Sequence, residues 1–191
     1  MAEGKLIEIR LDSGARYKLE ESYPEGWRNS LAAFNDSIEL RNRYFTVKPG
    51  DIVIDVASEF GIFSLHAIAS GAKMVYAFEP NEKIRPYLKN NIVINKFQEN
   101  FHNNGHSLDI DKFIDNLSVT PEHIDWIVTG RLSAENCRRL LQMAINTINK
   151  YHPKIIVSSE EDMGGILLFF DVNVKGANIT NISDNHWLIS F

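Results

Sequence analysis

Cysteine is nearly absent from this chain: Cys137 is the one thiol in 191 residues. An internal disulfide framework and a multi-cysteine zinc site are therefore excluded, and a lone thiol fits a reducing compartment. Long hydrophobic runs are missing too. The longest, Ile166 to Phe170, falls far short of the ~20 apolar residues that span a bilayer. The opening MAEGKLIEIRLD is charged from Glu3 onward and has no apolar core of a signal peptide. The expected location is cytoplasmic, with no membrane partner. Basic charge is scarce: 20 Lys and Arg against 25 Asp and Glu leave a net charge of −5. Phosphate binding needs clustered cations, so this balance argues against a nucleic-acid partner. Solenoid repeats, low-complexity tracts and Pro/Ser-rich linkers are also lacking.

What remains is the composition of a globular domain long enough to bury a core without staples. One domain over 1–191 is expected, with 1–46 as an N-terminal extension and 47–191 as the core. KLIEIRLDSGARYKLE turns at Asp12-Ser13-Gly14 between two alternating stretches and reads as a β-hairpin. From Trp27 to Tyr44 apolar residues fall at helical intervals, giving one helix or two short ones. IVIDV, MVYAFEP, Ile124 to Val128 and KIIVSS are apolar runs rich in β-branched residues, as in parallel strands covered on both faces. Helices are expected between them: Phe60 to Ser70, Glu82 to Asn95 with Asn81 as cap, a short one over Asp109 to Asn116, and a long amphipathic one over Ala134 to Lys150. Met163 to Phe170 reads as helix in preference to strand. GANITNISDNHWLISF closes the chain as two strands joined at Ser183-Asp184-Asn185. Alternating strands and helices predict an α/β fold with a mostly parallel sheet and an antiparallel strand at the end.

In such a sheet ligands bind at the carboxyl ends of the strands. The first central strand ends at Asp55 and runs through a tight turn into a helix. The second ends at Glu79, where a carboxylate can accept both hydroxyls of a ribose. A nicotinamide cofactor would need GxGxxG for its pyrophosphate. The turn instead reads Ala57-Ser58-Glu59-Phe60-Gly61, with an acid where phosphate would sit. S-adenosylmethionine has no phosphate and carries positive charge, so the acid harms it less, although Glu59 would face its carboxylate unfavourably.

YFTVKPGDIVIDVASEFGIFSLHAIASGAKMVYAFEPNEKIRPYLKNNIVIN resembles the opening of FkbM-type methyltransferases. The matching positions include Gly50-Asp51, Asp55, Gly61, Phe63-Ser64-Leu65, Ala77-Phe78-Glu79-Pro80-Asn81 and Asn90-Asn91-Ile92. The likeness resumes at SLDIDKFIDN, at AINTINKYHPKIIVSS and at HWLISF. The resemblance implies a class I, Rossmann-like methyltransferase sheet in the order 3-2-1-4-5-7-6 with strand 7 antiparallel. It implies S-adenosylmethionine as cofactor on Asp55, Ala57, Ser58, Glu59, Gly61, Glu79 and Pro80, and O-directed transfer to a small molecule or sugar.

Three departures stand out. Ala57 replaces the loop's first glycine and Glu59 replaces an asparagine. Only about a dozen residues separate Asn95 from Ser107, where the family has a third strand and an adenine loop; that strand is expected to be missing or rebuilt, and its vacated edge suggests a homodimer. The family's acidic IKiDvEGaE stretch is Ile127 to Glu135 here, without its lysine and at least one acid. No catalytic residue is assigned; Glu160 and Asp109 are the candidates for a base. The alternative is a catalytically degenerate fold serving as a binding or assembly module. Asp111, Glu161 and Asp162 lie near the same sheet end, with helix capping the competing role for Asp109 and Asp111. His102 and His106 have ligand spacing but sit in an Asn-Gly loop, so no metal site is assigned. Cys137, Trp126, Trp187 and the eleven Phe are assigned to packing.

Overall fold

A computed structural model describes residues 6–10, 16–20, 43–105, 108–159, 164–183 and 186–191. The expected helix from Trp27 lies outside these residues, apart from its end at Arg43 and Tyr44. The strands are β1 (Leu6–Arg10), β2 (Arg16–Glu20), β3 (Ile52–Val56), β4 (Met74–Phe78), β5 (Phe101–Asn103), β6 (Trp126–Leu132), β7 (Lys154–Ser159), β8 (Asn178–Ser183) and β9 (His186–Ser190). The helices are α1 (Ile62–Ala69), α2 (Arg85–Ile94), α3 (Ile110–Asp115), α4 (Ala134–Gln142), α5 (Ile145–Tyr151) and α6 (Gly164–Asn173). β1 and β2 form the expected antiparallel hairpin. The other seven strands make one sheet in the order β5-β4-β3-β6-β7-β9-β8, with β9 antiparallel to both its neighbours. That is the order and the strand direction that the family resemblance implies.

Side chains alternate across the sheet because a strand has a period of two. Ile52, Ile54 and Val56 of β3 face a core built with α3, α4, α5 and α6. Val53 faces a second core that includes Leu65 of α1, Leu88 and Ile92 of α2, and Tyr17 and Leu19 of β2. Both faces of β3 are thus covered, which is why its run is apolar throughout. The hairpin is held by more than burial. The Asn95 amide accepts from Lys18 N–H at 2.6 Å and donates to Lys18 C=O at 2.7 Å, tying β2 to the end of α2.

The structure corrects several expectations. A third strand is present: β5 pairs in parallel with β4 over three residues, Val75 with Phe101 through Ala77 with Asn103. Three half-exposed residues show no periodicity to read, so the strand is invisible in the sequence. With it in place, a homodimer at a vacated edge loses its ground. His102 belongs to this strand and sits 5.5 Å from the Phe113 ring, whereas His106 is outside the described residues. The long helix expected from Ala134 is two. Asp111 accepts the Asn146 and Thr147 N–H groups at 2.9 and 2.8 Å, and its own N–H bonds Met143 C=O, so α3 caps α5 and breaks the run. Trp126 is buried as expected, whereas Trp187 is half-buried and Phe191 is exposed. Among the described residues, no helix is long and apolar enough to cross a membrane.

Candidate functional site

β3 hands the chain to α1 through Ala57-Ser58-Glu59-Phe60-Gly61, and the backbone of that turn is unusual. Ala57, Glu59 and Gly61 all have positive φ, at 53°, 48° and 80°. The left-handed region costs an L-residue roughly 1–2 kcal/mol, so alternate residues held there mark a backbone fixed by its surroundings. Those surroundings are specific. Ser58 is buried, its N–H bonds Phe78 C=O, and its hydroxyl donates to Asp55 C=O at 2.8 Å and Phe78 C=O at 3.3 Å. Its donor is therefore spent on the loop itself. The Asn91 amide of α2 donates to Phe60 C=O at 2.9 Å. At Gly61 a Cβ would stand 2.4 Å from Leu88 Cδ1, and at Gly130 of β6 it would stand 2.2 Å from Ala57 O. The loop is pressed between α2 and the end of β6, and only glycine fits at the second contact.

The two carboxylates singled out from the sequence do come together around this loop. Glu79, 3% exposed, accepts Glu59 N–H on Oε2 and Asn81 N–H on Oε1, both at 2.7 Å. Each oxygen keeps a second acceptor direction. Pro80 follows on the surface and ends β4. Asp55, 1% exposed, accepts the Ser64 N–H at 3.0 Å and its hydroxyl at 2.6 Å, both on Oδ2. It therefore caps α1 from the strand end. Asp55 Oδ1 is buried with no hydrogen-bond partner among the described residues. Burial pushes the Asp55 carboxyl up to about 7; the Ser64 bonds pull against that rise, and the negative charges of Glu79 and Glu59 add to it.

Other candidates are resolved differently. Asp109 caps α3, accepting Lys112 N–H at 3.0 Å, and Asp111 is the cap of α5 described above. Glu160, Glu161 and Asp162 lie outside the described residues. Cys137 is buried against Leu132 and Ser158 carbonyls. At the end of β6 the chain has Val128, Gly130 and Leu132, with a bulge against β7 between Val128 and Arg131. Thr129 fills that irregularity by accepting Ser158 N–H at 3.0 Å.

Sequence reasoning missed Asn103. It ends β5, the strand beside β4, and both polar atoms of its amide are buried without a hydrogen-bond partner among the described residues. An unmet amide offers a donor and an acceptor side by side, which suits the edge of a nucleobase. The only signal in the sequence was its place at the end of a strand too short to read.

The donor set fits a nucleoside that carries hydroxyls and positive charge. Glu79 suits a ribose, Asn103 a base, and the unmet Asp55 oxygen a cation, while Asp55, Glu59 and Glu79 together repel a pyrophosphate. A chain from Streptococcus mutans described as a SAM-dependent methyltransferase superposes over 100% of this chain and 55% of its own, with a TM-score of 0.67 at 15% identity. M. capricolum TrmK bound to S-adenosyl-homocysteine superposes over 81% of this chain and 66% of its own, with a TM-score of 0.60 at 14% identity. The fold is that of the class I methyltransferases. A Clostridium thermocellum chain described as an rRNA methylase superposes over 84% of this chain and 93% of its own, with a TM-score of 0.57 at 14% identity. This chain spans about half the length of the Streptococcus mutans structure and about two thirds of that of M. capricolum TrmK. No family model and no curated protein matches it. The S-adenosyl-homocysteine held by such a neighbour supports S-adenosylmethionine as the cofactor of this fold. The same comparisons overturn one expectation. Neighbours described as rRNA and tRNA methylases show that this fold serves nucleic acid, so exclusion of a nucleic-acid partner and choice of a sugar acceptor are withdrawn. Net charge was the wrong guide because it averages over a surface on which contact is local.

Proposed function

We propose that this chain is the cofactor-binding fold of an S-adenosylmethionine-dependent methyltransferase whose acceptor is a ring nitrogen of RNA. The observation that carries the cofactor half is the loop: positive φ at Ala57, Glu59 and Gly61, with Glu79 fixed beside it by two backbone N–H groups. In this reading Glu79 holds the ribose, Asn103 faces the base, and Asp55 lies on the methionine side. When bound, the cofactor supplies the methyl group, which leaves sulfur as the acceptor's lone pair takes it. The motif likeness to FkbM-type enzymes supports methyl transfer.

The acceptor half draws on chemistry as well as on the neighbours. An alcohol must lose a proton to become a good nucleophile, and that calls for a base close by. Among the described residues at the end of β6, Val128, Gly130 and Leu132 bring none. A pyridine-like ring nitrogen already has its lone pair free, so the protein's task reduces to in-line positioning. The neighbours described as rRNA and tRNA methylases support the same class. A second reading, binding without turnover, is favoured by that same bare strand end. Incubation with methyl-labelled cofactor and total cellular RNA or protein separates them. Label in RNA is expected, label in protein alone would overturn the acceptor, and tight cofactor binding with no label in either would favour the second reading.

A further inference from the structure

The cations of this acidic chain are unevenly spread. Side chains of the hairpin alternate, so Tyr17 and Leu19 enter the core while Arg16 and Lys18 of β2 stay exposed. Arg10 of β1 stands in register opposite Arg16, a like-charge pair with Glu8 as a single acid at 3.3 Å from one and 3.8 Å from the other. On α2, Lys89 and Val93 are four residues apart and therefore share one exposed stripe, and Lys96 follows just past the helix end. Val93 is 53% exposed, an apolar side chain left between two lysines. The two surfaces meet where Asn95, the neighbour of Lys96, holds the Lys18 main chain through both its N–H and its C=O. Among the described side chains of the hairpin's outer face and of this stripe, Glu8 is the one acid, although the whole chain carries a net charge of −5.

We propose that the strip from Arg10 and Arg16 across Lys18 to Lys96 and Lys89 receives the phosphate backbone of the RNA that carries the acceptor. The inference rests on the RNA reading of the acceptor. Phosphate contacts position a nucleic acid without reading its sequence, and they need cations placed along a track. The track starts near the cofactor end of the sheet. Arg85, the first residue of α2, packs on Gly105 just past β5, where an added Cβ would stand 2.6 Å from its Nη1. From there α2 runs back towards the hairpin, so the strip meets RNA that extends beyond the methylated base. The ten residues of α2 span ~15 Å, the axial length of about four nucleotides of one strand. Val93 favours RNA over an acidic peptide, because it offers the face of a sugar or base an apolar seat between the two lysines.

Binding of a fluorescently labelled RNA hairpin, measured against salt concentration, tests the proposal in the wild type, K18Q/K89Q/K96Q and K112Q/K150Q. Lys112 and Lys150 are exposed lysines of α3 and α5, which pack on the opposite face of the sheet. The slope of log affinity against log salt should be shallower by about two in the triple variant, or roughly 0.7 per lysine, with about a tenfold or greater loss of affinity at physiological salt. K89Q alone, at an exposed helix position, guards against a folding failure and should lose about 0.7 of slope. The K112Q/K150Q control should keep the wild-type slope. An unchanged slope in the triple variant, an equal fall in the control, or polyglutamate bound as tightly as the RNA would overturn the proposal. No RNA binding by folded wild type would instead overturn the RNA reading, and the proposal with it.

Discussion

The two halves of the sheet's carboxyl edge are built on opposite plans. At the ends of β3 and β4, acids are buried, the backbone is strained, and every loop residue from Asp55 to Phe60 is fixed by a named contact or dihedral. At the ends of β6 and β7, the buried polar side chains among the described residues are the hydroxyls of Thr129, Ser158 and Ser159, and β6 simply bulges. In the proposed reading the β3–β4 half is the one that serves the cofactor. The halves meet at Gly130, whose missing side chain lets Ala57 C=O approach.

The sharpest way to test the contrast is pH. The folded value of Asp55, about 7, lies above its ordinary value of 3.8. The folded protein therefore binds this proton more tightly than the unfolded chain. Its contribution to stability is full below about pH 4 and is lost as pH rises towards 7. Relative to Asp55→Asn, the wild type should lose on the order of 4 kcal/mol across that window, read by urea denaturation at several pH values. A flat difference would mean that Asp55 is not buried as described.

The next effect compares the two ends directly. Gly130→Ala should cost about 1–3 kcal/mol and abolish nucleoside binding, because the new Cβ displaces the loop backbone. Thr129→Val, one residue away, should cost a similar ~1–3 kcal/mol by leaving Ser158 N–H unmet, yet leave nucleoside affinity unchanged. If Thr129→Val also lost binding, the two ends would not be separable.

Much of this arrangement was legible in the residues. The apolar runs of β3, β4, β6 and β7 declare buried parallel strands because both faces must be covered. Asp55 and Glu79 stand at the carboxyl ends of two such runs, and the structure gathers both around the β3–α1 loop. β5 was hidden because Phe101-His102-Asn103 is too short and too exposed to leave a pattern. The break between α4 and α5 was hidden because its cause, Asp111, acts from another helix. Ser58 looked like a ligand group, and only the structure shows its hydroxyl spent on Asp55 and Phe78 carbonyls. Local pattern carries elements; contacts between distant segments decide their ends.

The central claim is that a nucleoside sits on the β3–β4 end with its ribose on Glu79. The most direct measurement is calorimetric titration of wild type and Glu79→Ala with S-adenosylmethionine. The account predicts binding by the wild type and at least a tenfold loss in the variant, since a hydrogen bond to a charged group contributes about 1.5–3 kcal/mol. Equal affinity in the two proteins, or no binding by folded wild type, would contradict it.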